Sequence, residues 1–487
     1  MEHRYGKEKI IQSLIWKLME RGGVQGIQFI MQIILARLLT PEDYGSIAII
    51  AIFITIANVF VQTGFNTALI QKKETDELDY SSVFYLSVFV ALIIYIILFV
   101  AAPFIADFYG IDNLTVVIRV ISITLFFGAY NSIQNAIVAK HMEFRKLFFS
   151  STGAVFISGM IGIALAYAGF GVWALVAQQL INQITISVIL SFILKWHPKL
   201  MFSFERIKVL FSYGCKLLVS ALIDTFYMNI RSLIIGKMYS PSMLGFYNRG
   251  DQFPQLIVSN INGSIQSVML PALSSQQDNV DKVKNMMRRG IVTSSFIVFP
   301  TMVGLAIVAK PLVSILLTDK WLPCVHFLQI FCISYALWPI HTANLQAINA
   351  MGRSDIYLKL EIAKKVVGMI ILVISLFYGV YGIAIGTLIA GIISTFINSY
   401  PNKKLLNYSY LEQMKDIMPS FIISILMGII TYSVRFLNMG NMFTITIQIL
   451  VGAISYIVLA KIFKLECYIY LVDTLKGILN KRKDGTK

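Results

Sequence analysis

Asp224 and Arg231 lie seven residues apart inside one long apolar segment, and Arg249 and Asp251 open the next. A seven-residue step returns to roughly the same face of a helix. An ionised side chain at the centre of a membrane span costs about 2.5–3.5 kcal/mol on insertion scales, so such residues normally face a cavity or a partner. Arg231 and Arg249 therefore suit the lining of an anion-accepting cavity, with a structural ion pair to Asp251 as the alternative. Asp224, near the middle of its segment, can either change charge in a low-dielectric site or serve as a salt-bridge partner. In the first apolar segment Lys17, Arg21, Gln25, Gln28 and Gln32 recur at three- and four-residue steps, a continuous polar stripe. The second carries Asn58, Gln62 and Asn66 at i, i+4 and i+8, and Asn262 and Gln266 repeat the register of Gln62 and Asn66 two hundred residues on. Amides in such positions line a cavity or form hydrogen bonds between helices. Gln178, Gln179, Asn182 and Gln183 offer the same two options.

The chain holds no G-x-x-x-x-G-K-[ST], H-E-x-x-H or G-x-S-x-G sequence, so nothing points to nucleotide hydrolysis, zinc peptidase chemistry or an esterase nucleophile. Cys215, Cys324, Cys332 and Cys467 lack metal-ligand spacing and read as packing residues, and no metal site is expected. Arg119 suits snorkelling at a helix end, and His326 and His341 are isolated. The spacing describes a binding path rather than an active centre, and no enzyme is expected.

The elements that must position these groups are membrane helices. Of 487 residues 57% are hydrophobic and only 14% charged, with a mean hydropathy of +0.73, against about 45–50% and about 25% in soluble domains. Fourteen apolar runs reach spanning length, which takes ~20 residues each. The net charge of +16 does not indicate nucleic acid, because the basic residues sit in short loops between those runs rather than on one exposed face. With the N-terminus inside, 30 of the 41 Lys and Arg fall on cytoplasmic segments, which by the positive-inside rule puts both termini in the cytoplasm. The first span follows a charged start without a small-residue cleavage site and is expected to be retained. Near the C-terminus Tyr468, Leu471, Val472, Leu475 and Leu479 have helical spacing and precede Lys481-Arg482-Lys483. That pattern predicts an amphipathic helix on the inner leaflet held by anionic lipid, or else a partly disordered tail.

The chain also repeats itself. Ala36-Arg37-Leu38-Leu39-Thr40-Pro41-Glu42-Asp43-Tyr44-Gly45 aligns with Gly236-Lys237-Met238-Tyr239-Ser240-Pro241-Ser242-Met243-Leu244-Gly245, two hundred residues later. Val100-Ala101-Ala102-Pro103 matches Val308-Ala309-Lys310-Pro311, and Ile133-Gln134 matches Leu345-Gln346, in the same order. Thr40 and Ser240 read as N-caps, with Pro41 and Pro241 in the first turn. The expected organisation is an all-α polytopic protein of two pseudo-symmetric six-helix bundles, residues 1–200 and 201–405. Two additional helices occupy 406–464 and a basic tail 465–487. Parallel duplicated bundles are the plan of many rocking transporters, with the cavity between the halves. Arg249, Asp251 and Arg231 fall opposite Ile49, Ala51 and Met31, so the two halves are chemically unequal.

The turn Thr40-Pro41-Glu42-Asp43-Tyr44-Gly45 after Ala36-Arg37-Leu38-Leu39, and Leu244-Gly245-Phe246-Tyr247-Asn248-Arg249 after Ser240-Pro241, resemble the polysaccharide-transporter flippases. These are the Wzx-type members of the multidrug/oligosaccharidyl-lipid/polysaccharide exporter superfamily, and the likeness is to the colanic acid or lipopolysaccharide biosynthesis branch. It covers essentially the whole chain, on motifs that are mostly architectural. The resemblance implies translocation of an undecaprenyl-diphosphate-linked oligosaccharide across the bacterial plasma membrane by alternating access. It implies no cofactor, coupling to a proton or sodium gradient, and the polysaccharide polymerase machinery as a partner. The matching cations are Lys17 and Arg21 toward the cytoplasm and Arg231 and Arg249 toward the outside, with the glycan among the amides and Asp224 or Asp251 available for coupling. Two rival readings are a cation-coupled multidrug exporter of the same superfamily and a membrane-bound polysaccharide polymerase or ligase, which should carry a large outer loop.

Overall fold

The computed structural model describes residues 7–62, 65–72, 74–111, 113–437, 439–473 and 476, and leaves out the side chains of 7–11, 14, 18, 21, 65, 209, 211–213 and 216. A backbone amide in hydrocarbon must find its partner within the protein, which leaves helices as the way to span, and among the described residues all regular structure is helical. The chain forms two compact units, Met1–Gly245 and Phe246–Lys487.

The first unit holds α1 (Lys7–Leu38), α2 (Pro41–Gln62), α3 (Phe65–Gln71), α4 (Glu77–Tyr109), α5 (Leu114–Ile121), α6 (Thr124–His141), α7 (Phe144–Tyr167), α8 (Val172–Leu194) and α9 (Phe204–Met238). It ends within the first turns of α10 (Pro241–Ser274). The second continues α10 and adds α11 (Val280–Leu317), α12 (Cys324–Ala336), α13 (Trp338–Ala350), α14 (Ser354–Ser375), α15 (Gly379–Ser399), α16 (Asn402–Leu405), α17 (Tyr410–Ser433) and α18 (Asn441–Ile462). Twelve described stretches are long and apolar enough to cross a membrane. One of them, Ser354–Leu405, contains both α14 and α15, and α1 adds a further 32-residue helix with Lys17 and Glu20 on it. These give the fourteen crossings that hydropathy predicts.

Helix boundaries carry the duplication. α1 and α9 end at Leu38 and Met238, and α2 and α10 begin at Pro41 and Pro241. Pro103 and Pro311 each sit six residues before the end of a long helix, α4 and α11. The next crossing is broken in both halves, at Ser122–Ile123 between α5 and α6 and at Leu337 between α12 and α13. The tight connection into α15 depends on Gly379, whose φ of 77° lies in the left-handed region that side chains disfavour. Small residues let neighbouring helices approach, as hydrocarbon provides no hydrophobic drive between them. On α7, Gly159 lies against Met31 of α1 and Gly162 against Gln178 of α8. Cys324, Cys332 and Cys467 are buried free thiols, in keeping with packing roles. Residues 466–473 are helical, with Cys467 buried and Ile469 and Tyr470 exposed. Leu475, Leu479 and Lys481 to Lys483 lie outside the described residues.

A polar knot ties the first unit together at one end. The Asp79 carboxylate is fully buried and accepts from Lys72 Nζ at 2.6 Å on both oxygens and from Arg206 Nη1 at 3.4 Å. Asp76 and Asp79 form a reciprocal capping box at the start of α4. The Asp79 backbone N–H holds the Asp76 carboxyl below the usual carboxylate range, with help from Arg206. That contribution is present above the ordinary carboxylate range and fades as pH falls through the lowered value. Lys140 Nζ donates to Lys72 O at 2.8 Å and Thr75 Oγ1 at 2.7 Å. The Ser81 and Ser82 hydroxyls accept from the backbone of Lys199 and Ser203, fastening the 195–203 connection to α4. Removing one partner of a buried ion pair costs about 3–5 kcal/mol, and Lys72, 27% exposed, places Asp79 at the lower end. Asp79→Ala should lower the midpoint of thermal unfolding in detergent by several degrees, and Lys72→Met should cost less. An unchanged midpoint for Asp79→Ala would show that the knot adds no stability.

Candidate functional site

Two helix starts, one from each repeat, meet in the first unit. Thr40 caps α2: its Oγ1 accepts the Asp43 N–H at 3.2 Å, and Asp43 Oδ2 accepts the Thr40 N–H at 2.9 Å. Ser240 caps α10 by accepting the Met243 N–H at 3.2 Å. Both N-caps are those expected from sequence. The aligned glycines then bring the helices into backbone contact. A Cβ on Gly45 would fall on the Pro241 carbonyl, and a Cβ on Gly245 would fall on the Pro41 carbonyl while lying 3.4 Å from the Gly45 nitrogen. The contact is reciprocal, each repeat's glycine receiving the other repeat's proline. Nearby, Gly236 of α9 packs on Ile49 of α2.

The cations are held in different ways. In the first unit Lys17 is exposed, pairs with Glu20 at 2.8 Å and lies 5.4 Å from the Phe144 ring centroid. The Arg21 side chain lies outside the described residues. Arg231 is half-buried on α9 with its guanidinium 5.6 Å from the Tyr227 ring, and Asp224 is exposed on the same helix. In the second unit Arg249 is only 5% exposed. Its Nη1 donates to Gln252 Oε1 at 2.5 Å and its guanidinium stands 5.4 Å from the ring of the fully buried Trp321. Asp251 Oδ1 accepts from the Tyr335 hydroxyl at 2.9 Å. A guanidinium near an aromatic ring gains a cation–π contribution that is larger where it is desolvated.

The amides divide into bonded and open groups. Gln62 Nε2 donates to Asn58 Oδ1 at 2.8 Å, and this pair packs on Gly128 of α6. Asn131 Nδ2 donates to Gln183 Oε1 at 2.8 Å and Asn182 Nδ2 to Ser158 Oγ at 3.3 Å, so in α8 these two amides join helices. Gln28 and Gln266 are exposed. Asn66 on α3 and Asn262 on α10 each carry a buried Oδ1 that accepts no hydrogen bond.

Several polar contacts escaped the sequence reading. Asn344, Asn402 and Gln413 form a fully buried amide network between α13, α16 and α17, with Gln413 Oε1 and Asn402 Nδ2 both meeting Asn344 within 2.8 Å. Arg288 of α11 bonds Asp416 Oδ1 and Glu466 Oε2, each at 3.0 Å, tying the 466–473 helix to α11 and α17. His341 joins Thr395 and Asn398 at 3.1 Å each. Arg119 donates to Phe99 O at 3.2 Å and lies over the Phe99 ring. All these partners are distant in sequence, and spacing gives no signal for them.

Duplicated helical units, a reciprocal helix-start contact and arginines within apolar helices define a polytopic membrane transporter. The chain belongs to the polysaccharide biosynthesis protein family, whose signature matches residues 34–326, and so to the multidrug/oligosaccharidyl-lipid/polysaccharide exporter superfamily expected from its motifs. It is 21% identical to the lipopolysaccharide biosynthesis protein WzxC of Escherichia coli, over 90% of this chain and 89% of that protein. It is 23% identical to the teichuronic acid biosynthesis protein TuaB of Bacillus subtilis, over 93% and 95%. In fold it is similar to the lipid II flippase MurJ in an inward closed conformation, with a TM-score of 0.76 and 16% identity, covering 95% of this chain and 100% of that one. An inward-facing multidrug resistance transporter of the MATE family aligns with a TM-score of 0.60 and 17% identity, over 79% and 96%.

The Gly45 and Gly245 contacts are backbone on backbone, where no flexible atom can yield. Gly45→Ala should separate the starts of α2 and α10, read as a longer mean distance between spin labels at positions 42 and 242. Gly245→Ala should act in the same direction. Overpacking of this kind typically costs about 1–3 kcal/mol. An unchanged distance distribution in both variants would refute the contact.

Proposed function

We propose that this protein translocates a polyprenyl-diphosphate-linked oligosaccharide from the cytoplasmic to the outer leaflet of the bacterial plasma membrane, by alternating access, for cell-surface polysaccharide assembly. The observation that carries this reading is the presence of arginines on apolar helices, half-buried Arg231 in the first unit and buried Arg249 in the second, in a chain whose relatives over nine-tenths of its length serve polysaccharide biosynthesis. A fold shared with the whole of a lipid II flippase supports it. A diphosphate is the part of such a substrate least able to enter hydrocarbon alone. Charge-assisted bonds from guanidinium to phosphate, short and often bidentate, offset its lost hydration. In this scheme Lys17 and Arg21 receive the diphosphate at the cytoplasmic side and Arg231 and Arg249 hold it toward the outside. The sugar hydroxyls meet the open amides Gln28, Asn66, Asn262 and Gln266, while Gln62 is held by Asn58. Both termini face the cytoplasm, inner-leaflet anionic lipid holds the basic tail, and the polymerase machinery receives the product.

Uphill cycling needs a gradient, and Asp224 is the acid we assign to it, since one charge crossing the whole field is worth about 2.3 kcal/mol per 100 mV. Asp251, held by Tyr335, is the second acid in the same scheme. Both arms of the scheme are open to mutation. Arg231→Ala and Arg249→Ala should each cut transport at normal protein level by about tenfold or more, the share of a hydrogen bond to a charged group. Asp224→Asn should abolish sensitivity to collapse of the proton or sodium gradient. Undiminished transport in both arginine variants would remove the diphosphate path, and an Asp224→Asn protein that still responds to the gradient would remove the coupling role.

Depletion of the protein should cause a lipid-linked oligosaccharide to accumulate on the cytoplasmic leaflet, without a change in drug resistance. Altered drug resistance without that intermediate would favour a cation-coupled multidrug exporter instead. A lipid-linked repeat unit that reaches the outer leaflet but is not polymerised would point to a polymerase.

A further inference from the structure

A groove of about 490 Å³ runs between α2, α4 and α9, wholly within the first unit. This lies inside the ~300–1,000 Å³ range of small-ligand sites. Four aromatic rings, Phe53, Phe104, Phe108 and Tyr109, form much of its wall, and Ala101 and Met238 are among the residues that complete it. It opens sideways: Phe104 is 73% and Phe108 54% exposed. The wall is apolar except at one end, where Lys237 stands over the Phe108 ring, 4.2 Å from its centroid, and donates to the Phe108 carbonyl. That carbonyl belongs to the last turn of α4, where a helix end attracts a cation. An ammonium has three donors, and the helix end takes one. The groove is thus a hydrocarbon slot ending in a fixed cation, beside the proline–glycine turns that the charge pattern assigns to the outer side.

A slot of this composition selects a lipid with an anionic head and a chain that rewards contact with ring faces. An isoprenoid chain is apolar throughout, and its methyl branches and double bonds can lie against ring faces. A diphosphate offers the ammonium a charge-assisted bond. We propose that this groove seats the proximal isoprene units of a polyprenyl diphosphate, with the diphosphate at Lys237, and so holds the carrier lipid at the outer leaflet. This rests on the transport reading above and adds a site for the lipid portion of the substrate, separate from Arg231 and Arg249.

The test is binding, measured without transport. The full chain, in nanodiscs of phosphatidylethanolamine and phosphatidylglycerol, is labelled with a photoreactive undecaprenyl diphosphate and the adducts are mapped by mass spectrometry. Adducts should fall on Phe104, Phe108 and Met238, be displaced by unlabelled undecaprenyl diphosphate, and resist phosphatidylglycerol. Lys237→Met should reduce capture of the diphosphate about tenfold while leaving capture of undecaprenol, which has no phosphate, unchanged. Lys237→Arg should retain both. Ala101→Phe, which fills the slot, should remove labelling, with a melting scan confirming that the variant folds. A lysine that only capped α4 would alter melting and not the diphosphate-to-undecaprenol ratio. Adducts elsewhere, equal displacement by phosphatidylglycerol, or an unchanged ratio in Lys237→Met would overturn the proposal. Because no flipping is required, such a failure is distinguishable from failure of the transport reading, which the depletion experiment addresses.

Discussion

The structure depends on the cost of an unpartnered polar group in hydrocarbon, several kcal/mol for a backbone amide and more for a charge. That cost makes the described chain helical and shapes its side-chain polarity. Several intramembrane amides meet it by pairing with one another. Gln62 bonds Asn58 one turn away, Asn131 bonds Gln183, and Asn344, Asn402 and Gln413 close a buried network. Each pair fixes a helix or a helix-helix contact and gives up capacity to bind a ligand. The buried Oδ1 atoms of Asn66 and Asn262 are exceptions, accepting no hydrogen bond.

Duplication explains the helix boundaries and also the point at which the two repeats touch. The helix starts at Pro41 and Pro241 are alike because each needs a hydroxyl cap and a proline where no N–H is missed. Their glycines serve a different end. They remove the only side-chain atom that would keep the two helix starts apart, and each admits the other repeat's proline carbonyl. A contact in which each partner supplies the same two groups follows when one sequence is used twice about an axis, so a duplicated motif can close on itself without any new residue.

The crossings were legible in the sequence because apolar length is a one-dimensional property. The two N-caps were legible because a cap and its N–H lie three residues apart. The site was legible only in its residue types. Gln62 was singled out with Asn66, yet its i, i+4 partner Asn58 satisfies it, a bond that the same spacing could have announced. Nothing in the sequence around Asp79 revealed that Arg206, 127 residues later, reaches it, nor that Arg288 would hold both Asp416 and Glu466. Such partners are set by the order in which helices pack, and short-range spacing carries no record of that order.

The unequal chemistry of the repeats is clearest at one register position. Ile49 on α2 is fully buried, with Gly236 packed against it. Its counterpart on α10, Arg249, is also buried, but its neighbours are Gln252 and the Trp321 ring. An isoleucine at such a depth stabilises by simple transfer from water, whereas a guanidinium there is costly unless its donors are met. At Arg249 the guanidinium donates to Gln252 and lies near the Trp321 ring, contacts that an isoleucine cannot make. The same register position is thus met by packing alone at Ile49 and by a hydrogen bond and a ring contact at Arg249, so the duplicated scaffold satisfies burial there in two different ways.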